Sequence, residues 1–443
     1  MLNERKNNMS LHKFLFAFIC AAGVSVHAQY VTPAGKQANS ILLYGGIAHI
    51  GDGTVIEKSA IALIAGKISF VKDLSKETID KAAFTEIIDI SGKQVYPGII
   101  APSSIIGLEE ISAVRATLDD AEVGRINPNV RSAIAYNTDS KIIPTVRSNG
   151  ILVAQVTPRG GLISGTSSIM ELDGWNWEDA LLKADDGVHL NWPTMFRRSG
   201  GEDDPGNIEK NKEYEKQIAP LTKIFADAKA YNEGSQPEKD LKLESMRGLF
   251  NGTKNLYIHT NLSKEIIESV NFAKKSGVKK IIIVGGKDSW KITGFLKENN
   301  VPVLLCRLHE LPDRSDDAID AVYTTAAFLQ NEGILFALNY EGSMEAIGMR
   351  NLPFVAGTAV AYGLTKEQAL MSITYNTAKI LSIDDRIGSI AAGKDATLFI
   401  STGDALDMKT NNVELAYIRG KKIMLDNEQK MLYNVYKNKY GIK

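Results

Sequence analysis

Histidine and carboxylate residues stand at the ends of several apolar runs, where they could bind a metal ion or move protons. His259 closes the run "NLYIHT", Glu341 follows a run that ends at Asn339, and His309 follows the run "VPVLLC". Imidazoles and carboxylates are the side chains that most often carry general acid–base catalysis or hold a divalent ion. A lone imidazole is not enough for a catalytic metal, because such sites use about three protein ligands.

The apolar runs that carry these residues are predicted to be buried strands. They read "ILVAQV" (151–156), "NLYIHT" (255–260), "KIIIVGG" (280–286), "VPVLLC" (301–306) and "ILFALN" (334–339). Continuous apolar runs suit strands that are covered on both faces, as in a parallel sheet. Strands that alternate with helical stretches predict an α/β fold of the (β/α)8 TIM-type barrel class, and a doubly wound open sheet fits the alternation almost as well.

Two of the helices between these strands have recognisable start signals. Ser263 is predicted to cap a helix over 264–276, and a glycine follows that helix as a stop signal. Thr365 and Gln368 have the spacing of a capping box, which predicts a helix over 366–381. These signals place helices on both sides of the strand runs.

Both ends of the chain have a strand-and-turn texture that predicts one small β-sandwich. Residues 39–97 alternate apolar and polar side chains between glycine-rich turns, and residues 387–425 do the same. The predicted organisation is a flanking β-sandwich of 39–97 plus 387–425, a barrel over 98–386 and a C-terminal tail over 426–443.

A charged segment over about 195–240 interrupts the barrel pattern. It is poor in apolar residues, and its composition predicts a solvated insertion that is helical around 208–231. Such an insertion is either a surface excursion or a lid over one end of the barrel.

The first 28 residues are predicted to be a secretory signal peptide. Lys13 precedes an apolar run over 14–26, and Val26-His27-Ala28 has the pattern of a small-residue cleavage site. A membrane-spanning helix needs roughly 20 apolar residues, which is more than this run contains. We therefore expect an exported, periplasmic protein with no membrane span after cleavage.

The charge of the chain argues against nucleic-acid binding, and its cysteine content argues against a fold held by disulfides. The chain has 51 basic and 52 acidic residues and a formal net charge of −1, so it offers no basic footprint for nucleic acid. Cys306 is the cysteine that remains after signal cleavage. One cysteine cannot form an internal disulfide, and its position at the end of an apolar run predicts a buried core thiol.

Three stretches of the sequence resemble the amidohydrolase superfamily, in particular its exported, imidazolonepropionase-like branch. They are "QVYPGIIAPSSIIGL" (94–108), a segment over 357–400 that ends in "GSIAAGKDATLFI", and "GDALD" (403–407). The resemblance implies a (β/α)8 barrel with a flanking β-sandwich from both chain ends. It also implies metal-dependent hydrolysis of non-peptide C–N bonds in cyclic or linear amides, with one or two divalent ions such as zinc.

The resemblance also implies where the metal ligands would stand, and most of these positions have lost their donor atoms. His259 matches the fifth-strand histidine and keeps its residue type. The first-strand His-x-His pair falls on Ser103 and Ile105, the sixth-strand histidine on Gly285 or Gly286, and the eighth-strand aspartate near Asn339. The pattern indicates a degenerate metal site, so no cofactor is predicted for this chain.

These observations lead to a main hypothesis and two alternatives. The main hypothesis is a catalytically degenerate exported subunit, a pseudoenzyme, that binds a small-molecule or peptide-like ligand. It would act alone, as a homo-oligomer or with an active amidohydrolase paralogue. The first alternative is an active amidohydrolase with a rearranged site that uses His259 and Glu341, with His309 or Asp288 in support. The second is a carbohydrate- or peptide-binding envelope protein with a groove lined by tryptophan and tyrosine side chains.

Overall fold

The computed structural model describes residues 32–198, 208–234, 238–312, 314, 316–342 and 344–442. The predicted signal peptide, 1–28, lies outside the described residues, as do 199–207 and 235–237 of the predicted insertion. In the described part of the chain, no helix is both long and apolar enough to cross a membrane. Export to the periplasm stays a prediction from the sequence.

The strands fall into a barrel sheet, two flanking sheets and a short hairpin. The N-terminal strands are β1 Ile41–Tyr44, β2 Ile47–His49, β3 Val55–Ile56, β4 Ser59–Ile64, β5 Lys67–Asp73, β6 Glu86–Asp89 and β7 Gln94–Pro97. The strands of the barrel and hairpin are β8 Ile99–Ser104, β9 Ile151–Val156, β10 Ile163–Glu171, β11 Leu181–Asn191, β12 Phe196–Arg198, β13 Ile208–Lys210, β14 Asn255–Thr260, β15 Ile281–Gly285, β16 Val303–Leu305 and β17 Phe336–Leu338. The C-terminal strands are β18 Leu398–Ser401, β19 Val413–Ile418 and β20 Lys421–Lys422.

Most of the helices follow barrel strands and cover the outside of the barrel. The α-helices are Ser132–Ala135, Ile142–Arg147, Trp177–Ala180, Tyr214–Glu233, Leu241–Asn251, Ser263–Lys275, Thr293–Glu298, Ala321–Asn331, Glu345–Gly348, Leu352–Ala361, Lys366–Ile373, Tyr375–Ile380 and Glu428–Lys439. The C-terminal helix, Glu428–Lys439, has no buried residue.

The barrel sheet contains eight strands, and one of them runs against the others. The order is β17-β16-β15-β14-β11-β10-β9-β8, and β10 pairs antiparallel with both of its neighbours. The links before and after β10, over 157–162 and 172–180, are too short for the crossover that two parallel strands require. Helices Lys366–Ile373 and Tyr375–Ile380 contact both β8 and β17, so they cover the seam where the sheet ends.

The interior of the barrel is filled by apolar side chains over part of its depth. One buried cluster takes residues from all eight strands, and members two positions apart on a strand, such as Ile282 and Val284, share one face of the sheet. The strand members of this cluster are Ile100, Val153, Ile169, Leu182, Tyr257, Ile282, Val284, Leu304 and Ala337. The barrel is therefore a packed core, and a site can form only above this filling.

The two flanking sheets form the sandwich that the sequence predicts. One has the order β5-β4-β1-β6, and the other, β20-β19-β18-β7-β2-β3, combines strands from both chain ends. Residues of both sheets, such as Leu43 and Leu398, meet in one buried cluster. Strand β18 pairs with β7, which leads directly into the first barrel strand, so the sandwich fixes the start of the barrel.

Local predictions met mixed outcomes. The capping box of Thr365 and Gln368 is confirmed, although its helix breaks at Thr374. The predicted cap at Ser263 is wrong: the helix begins at Ser263 itself, and its backbone amide donates to the Asp288 carboxylate at 3.2 Å. The predicted core position of Cys306 is confirmed, since its thiol is buried.

The charged insertion is less solvated than its composition predicts. Its main helix, Tyr214–Glu233, buries Leu221, Phe225 and Ala228. The Phe225 ring meets Phe272 of the helix Ser263–Lys275 edge to face, with the ring centroids 5.2 Å apart. These few apolar residues recur at helical spacing, which suffices to dock one face of an otherwise charged helix.

Candidate functional site

A polar layer lies directly above the apolar filling of the barrel. Residues two positions apart on a strand share a face, so Gln155 follows Val153 into the interior. The side chain of Gln155 accepts a hydrogen bond from the Ser103 amide at 2.9 Å and donates one to Asp186 Oδ2 at 3.0 Å. The Tyr257 hydroxyl donates to the same carboxylate oxygen. This network closes the floor of the site, and it fixes the end of the first barrel strand.

Two histidines and a glutamate form a chain of polar contacts above this floor. His189 Nδ1 lies 2.9 Å from His259 Nε2, and His259 Nδ1 lies 3.4 Å from Glu341 Oε1. A carboxylate only accepts hydrogen bonds, so we assign the ring proton of His259 to Nδ1, the nitrogen that faces Glu341. With the proton on Nδ1, Nε2 of His259 accepts from His189, so each ring nitrogen has a polar partner.

The surroundings of this chain of contacts lower the pKa values of both Glu341 and His189. Burial would raise the pKa of Glu341, but the hydrogen bond and charge of His259, together with Arg159, lower it to about 2. Burial, with the charges of His259 and Arg159, holds the pKa of His189 well below its ordinary value. At neutral pH, Glu341 is therefore an anion and His189 is a neutral, fully buried imidazole.

A guanidinium group occupies the centre of the barrel mouth. Arg159 follows β9, and its Nη2 donates to the Ser103 carbonyl at 2.7 Å, while its Nη1 lies 3.4 Å from Ser103 Oγ. Nη2 also forms a short ion pair with Oε1 of Glu345, at the start of the helix Glu345–Gly348. One cation thus joins the end of the first barrel strand to the segment that follows the eighth.

The carboxylates beside Arg159 have very different proton affinities. Burial raises the pKa of Glu345 to about 7, against the opposing effect of Arg159 and with help from the charge of Glu341. Glu341, in contrast, has a pKa of about 2. Such a separated pair can hold one proton near neutral pH, with Glu345 as the proton carrier.

The predicted degenerate metal positions do not converge on His259. Ile105 packs in the apolar cluster between the barrel and its helices, and Ser103 touches Arg159. In the strand register, Gly285 pairs with Thr260, whereas Val284 pairs with His259, so a side chain at Gly285 would point away from the histidine.

Asn339 lies directly after β17 and is fully buried. It is two positions after Ala337, so it faces the same side of the sheet, toward the barrel interior. Its Oδ1 accepts from the backbone amide of Tyr340 at 2.7 Å, and its Nδ2 has no hydrogen-bond partner among the described residues. An amide has no carboxylate charge with which to bind a metal, and this one is already turned toward its own backbone. No hydrogen bond joins Asn339 to the histidine pair among the described residues.

Two further sequence candidates have structural partners elsewhere on the rim. His309 is exposed, and its Nε2 lies 2.6 Å from the Thr358 hydroxyl. Asp288 receives Arg314 Nη2 at 2.8 Å and Lys291 Nζ at 3.2 Å. Of the predicted catalytic candidates, the structure brings together His259 and Glu341 and leaves Asn339, His309 and Asp288 apart from them.

The residues at the mouth do not fit the divalent ion that the fold family implies. Within the described residues, no group of three His, Cys, Asp or Glu side chains is arranged to hold a metal ion. Both ring nitrogens of His259 are engaged, and Arg159 places a permanent positive charge beside Ser103. A nitrogen that already has a polar partner must lose it before it can coordinate a metal ion, and the charge of Arg159 repels a cation at this place.

Sequence reasoning missed Arg159 and Glu345. A signal was present: Arg159 follows a predicted barrel strand by three residues, at the strand end where barrels carry function. Glu345 lies four residues after Glu341. Neither position belongs to the metal pattern that the family resemblance supplied.

A cavity of about 590 Å³ lies on the rim beside the mouth. Its apolar wall includes Trp290, and Phe196 and Ile208 of the β12–β13 hairpin also line it. Its charged wall includes Lys287, which pairs with Glu310 at 2.8 Å. Cavities of this size, apolar with a few polar groups, are typical of small-molecule sites.

Comparison with known proteins agrees with this architecture. Residues 253–423 match the model of the amidohydrolase family. No curated protein matches the chain. An amidohydrolase from Thermotoga maritima superposes with a TM-score of 0.74 at 24% identity, covering 87% of this chain and 99% of the other.

More distant structures share the same fold. A Xaa-Pro dipeptidase with bound methionine in its active site has a TM-score of 0.54 at 15% identity, covering 86% of this chain and 99% of that one. An adenosine deaminase from Xanthomonas campestris with bound zinc has a TM-score of 0.51 at 15% identity, covering 90% and 97%. At these identities the likeness establishes the fold and no more.

The fold is an eight-stranded barrel with a flanking sandwich. Residues 253–423 are similar to the amidohydrolase family, and the overall architecture of the chain agrees with that match. The predicted family and barrel are confirmed. Its assignment to the exported, imidazolonepropionase-like branch and its loss of the metal site stay predictions.

Proposed function

We propose that this chain is a catalytically degenerate amidohydrolase-fold protein that binds a small ligand and does not perform metal-assisted hydrolysis. The observation that carries the proposal is that each ring nitrogen of His259 faces a protein group, His189 at 2.9 Å and the Glu341 carboxylate at 3.4 Å. His259 is the position that keeps its family residue type, and it is committed to the protein itself. The misfit of Ser103, Ile105 and Asn339 supports the same conclusion.

The rim cavity supports a binding role. Its volume of about 590 Å³ suits a small molecule or a short peptide segment, and its apolar wall would contribute most of the affinity. A row of ion pairs, Lys287–Glu310 and Glu310–Arg307, runs from the cavity toward Gly342, the neighbour of Glu341. A bound ligand would therefore lie next to the mouth without needing the histidine chain.

Metal content and hydrolysis together test this proposal. Purified chain, incubated with excess zinc and then dialysed, should retain well under one ion per chain. A panel of small amides, dipeptides and cyclic imides should show no turnover that depends on His259. Stoichiometric, tightly held zinc in the wild-type chain would overturn the proposal.

An active hydrolase is the second candidate, and one observation favours it. Glu341 orients His259, and Glu345, with a pKa of about 7, stands across Arg159 as a proton donor. Under this alternative, His259→Ala would abolish turnover of a small amide. Turnover equal to wild type in that variant would count against it.

The proposal extends to export and assembly. The signal peptide predicted over 1–28 would deliver the chain to the periplasm, and mature protein recovered there should begin after Ala28. A homo-oligomer, or a complex with an active paralogue, is the expected assembly. Light scattering of the purified chain, alone and mixed with such a paralogue, measures both.

A further inference from the structure

We propose that Arg159 is the resident cation of the barrel mouth and does the structural work that a divalent ion does in the fold family. The inference rests on the proposed function in one respect: it takes the wild-type mouth to be free of metal. It goes beyond that function by naming which group replaced the ion and what that group holds in place. Arg159 is a positioning residue here, since it acts through Ser103 and Glu345.

The first argument is position. Arg159 touches Ser103, on which the first-strand metal position falls, and pairs with Glu345 behind the eighth strand. Its charge also lowers the pKa values of Glu341 and His189. A single positive charge thus faces groups from the first, fourth and eighth strand regions. The family resemblance places metal-ligand positions on the first and eighth of these strands.

The second argument is the chemistry of the guanidinium group. It is charged at every relevant pH, and it offers five N–H donors in a rigid plane. Arg159 uses that plane on a backbone carbonyl, a hydroxyl and a carboxylate at once. A metal ion would likewise gather oxygen atoms around one positive charge. No covalent step or coordination bond is needed for this substitution.

The third argument is the backbone that Arg159 holds. Ser103 has a φ of +43°, a left-handed conformation that costs a residue with a side chain about 1–2 kcal/mol. The register between β8 and β9 shifts at this point, so Ser103 forms a bulge at the strand end. The carbonyl of this residue is the one that Arg159 binds at 2.7 Å, and its amide is held by Gln155.

The test is chemical rescue. Arg159→Ala should lower the melting temperature by about 5 °C, because it leaves Glu345 without its partner. Methylguanidinium at millimolar concentration should restore most of that loss in a saturable way, whereas urea, which has the same shape and no charge, should not. The control is Arg131→Ala, which removes a surface pair with Asp185 and should show no rescue.

A second variant keeps the inference testable if Arg159→Ala does not fold. Removing both charges in Arg159→Met with Glu345→Gln should recover much of the stability that Arg159→Met alone loses, since no buried charge is left unpaired. The inference is overturned if Arg159→Ala is as stable as wild type, if rescue matches that of the Arg131 control, or if the double variant loses the sum of the two single losses. Zinc in the wild-type chain would instead overturn the proposed function, so the two failures are distinct.

Discussion

His49 Nδ1 lies 2.7 Å from Glu367 Oε1, and this contact joins the flanking sandwich to the helix Lys366–Ile373 at the barrel seam. The imidazole is stacked on Tyr96 with ring centroids 4.5 Å apart, and its Nε2 lies 3.0 Å from Gln94 Oε1. Burial lowers the pKa of His49, but the hydrogen bond and charge of Glu367 outweigh it and raise the pKa above the ordinary value. The junction between sandwich and barrel therefore carries a titratable group.

Stability at this junction should fall as the pH rises. The folded pKa of His49 exceeds its unfolded value of 6.5, so its contribution is complete below pH 6.5 and is lost as the pH passes through the folded pKa. His49→Gln should cost about 1 kcal/mol at pH 5.5 and less at pH 8. Urea unfolding at both pH values measures this difference. An equal cost at both would contradict the assigned ion pair, and Glu367→Gln should reproduce the His49→Gln profile.

The raised pKa of Glu345 predicts a second pH dependence of stability, at lower pH than that of His49. Its folded pKa is about 7 and its ordinary value is 4.5, so the folded chain holds a proton that the unfolded chain releases. Stability should decline between pH 4.5 and 7 by at most ~3 kcal/mol from this group, and it should change little outside that window. Glu345→Gln cannot titrate, so the decline should disappear from its profile. A profile parallel to wild type would contradict the prediction.

Much of the fold was readable from the sequence, because it depends on local patterns. The continuous apolar runs over 151–156 and 255–260 are barrel strands to the residue, and the terminal segments form the sandwich. The antiparallel strand β10 was not foreseen. The short link over 157–162 excludes a parallel crossover, so the information was present, but the strand's glycine and serine content hid it.

The site was harder to read, because its contacts join distant parts of the chain. His259 and Glu341 were candidates, since each ends a recognisable strand, and they do meet. Arg159 and Glu345 are 186 positions apart, and no periodicity links them. The family pattern of metal ligands predicts only which positions have lost a donor atom. The cation that contacts Ser103 belongs to an arginine, a residue type outside the metal-ligand pattern.

Gly150 should be sensitive to any added side chain. Its φ is +89°, and a Cβ there would lie 2.6 Å from Cζ of Phe399 in the flanking sandwich. Gly150→Ala should cost roughly 3 kcal/mol, combining the left-handed backbone with overpacking against the ring. Gly393→Ala is the matched control, since its φ is +87° and nothing lies within 4 Å of its Cβ position. Thermal unfolding should show a clearly smaller loss for the control, and equal losses would remove the steric argument.

Trp290 should anchor ligands in the rim cavity. Its ring lines the cavity, lies 5.8 Å from Phe328 between centroids, and has Lys291 Nζ 5.0 Å above its face. A suitable probe is anilinonaphthalene sulfonate, whose apolar rings suit the cavity wall and whose fluorescence rises on burial. Trp290→Ala should weaken its binding about tenfold or more, because a buried tryptophan commonly contributes about 2 kcal/mol or more to an interface. Trp175→Ala is the control, since that ring is 67% exposed and lines a different cavity. Equal affinity in the two variants would show that the probe binds elsewhere and would leave the rim cavity without its proposed role.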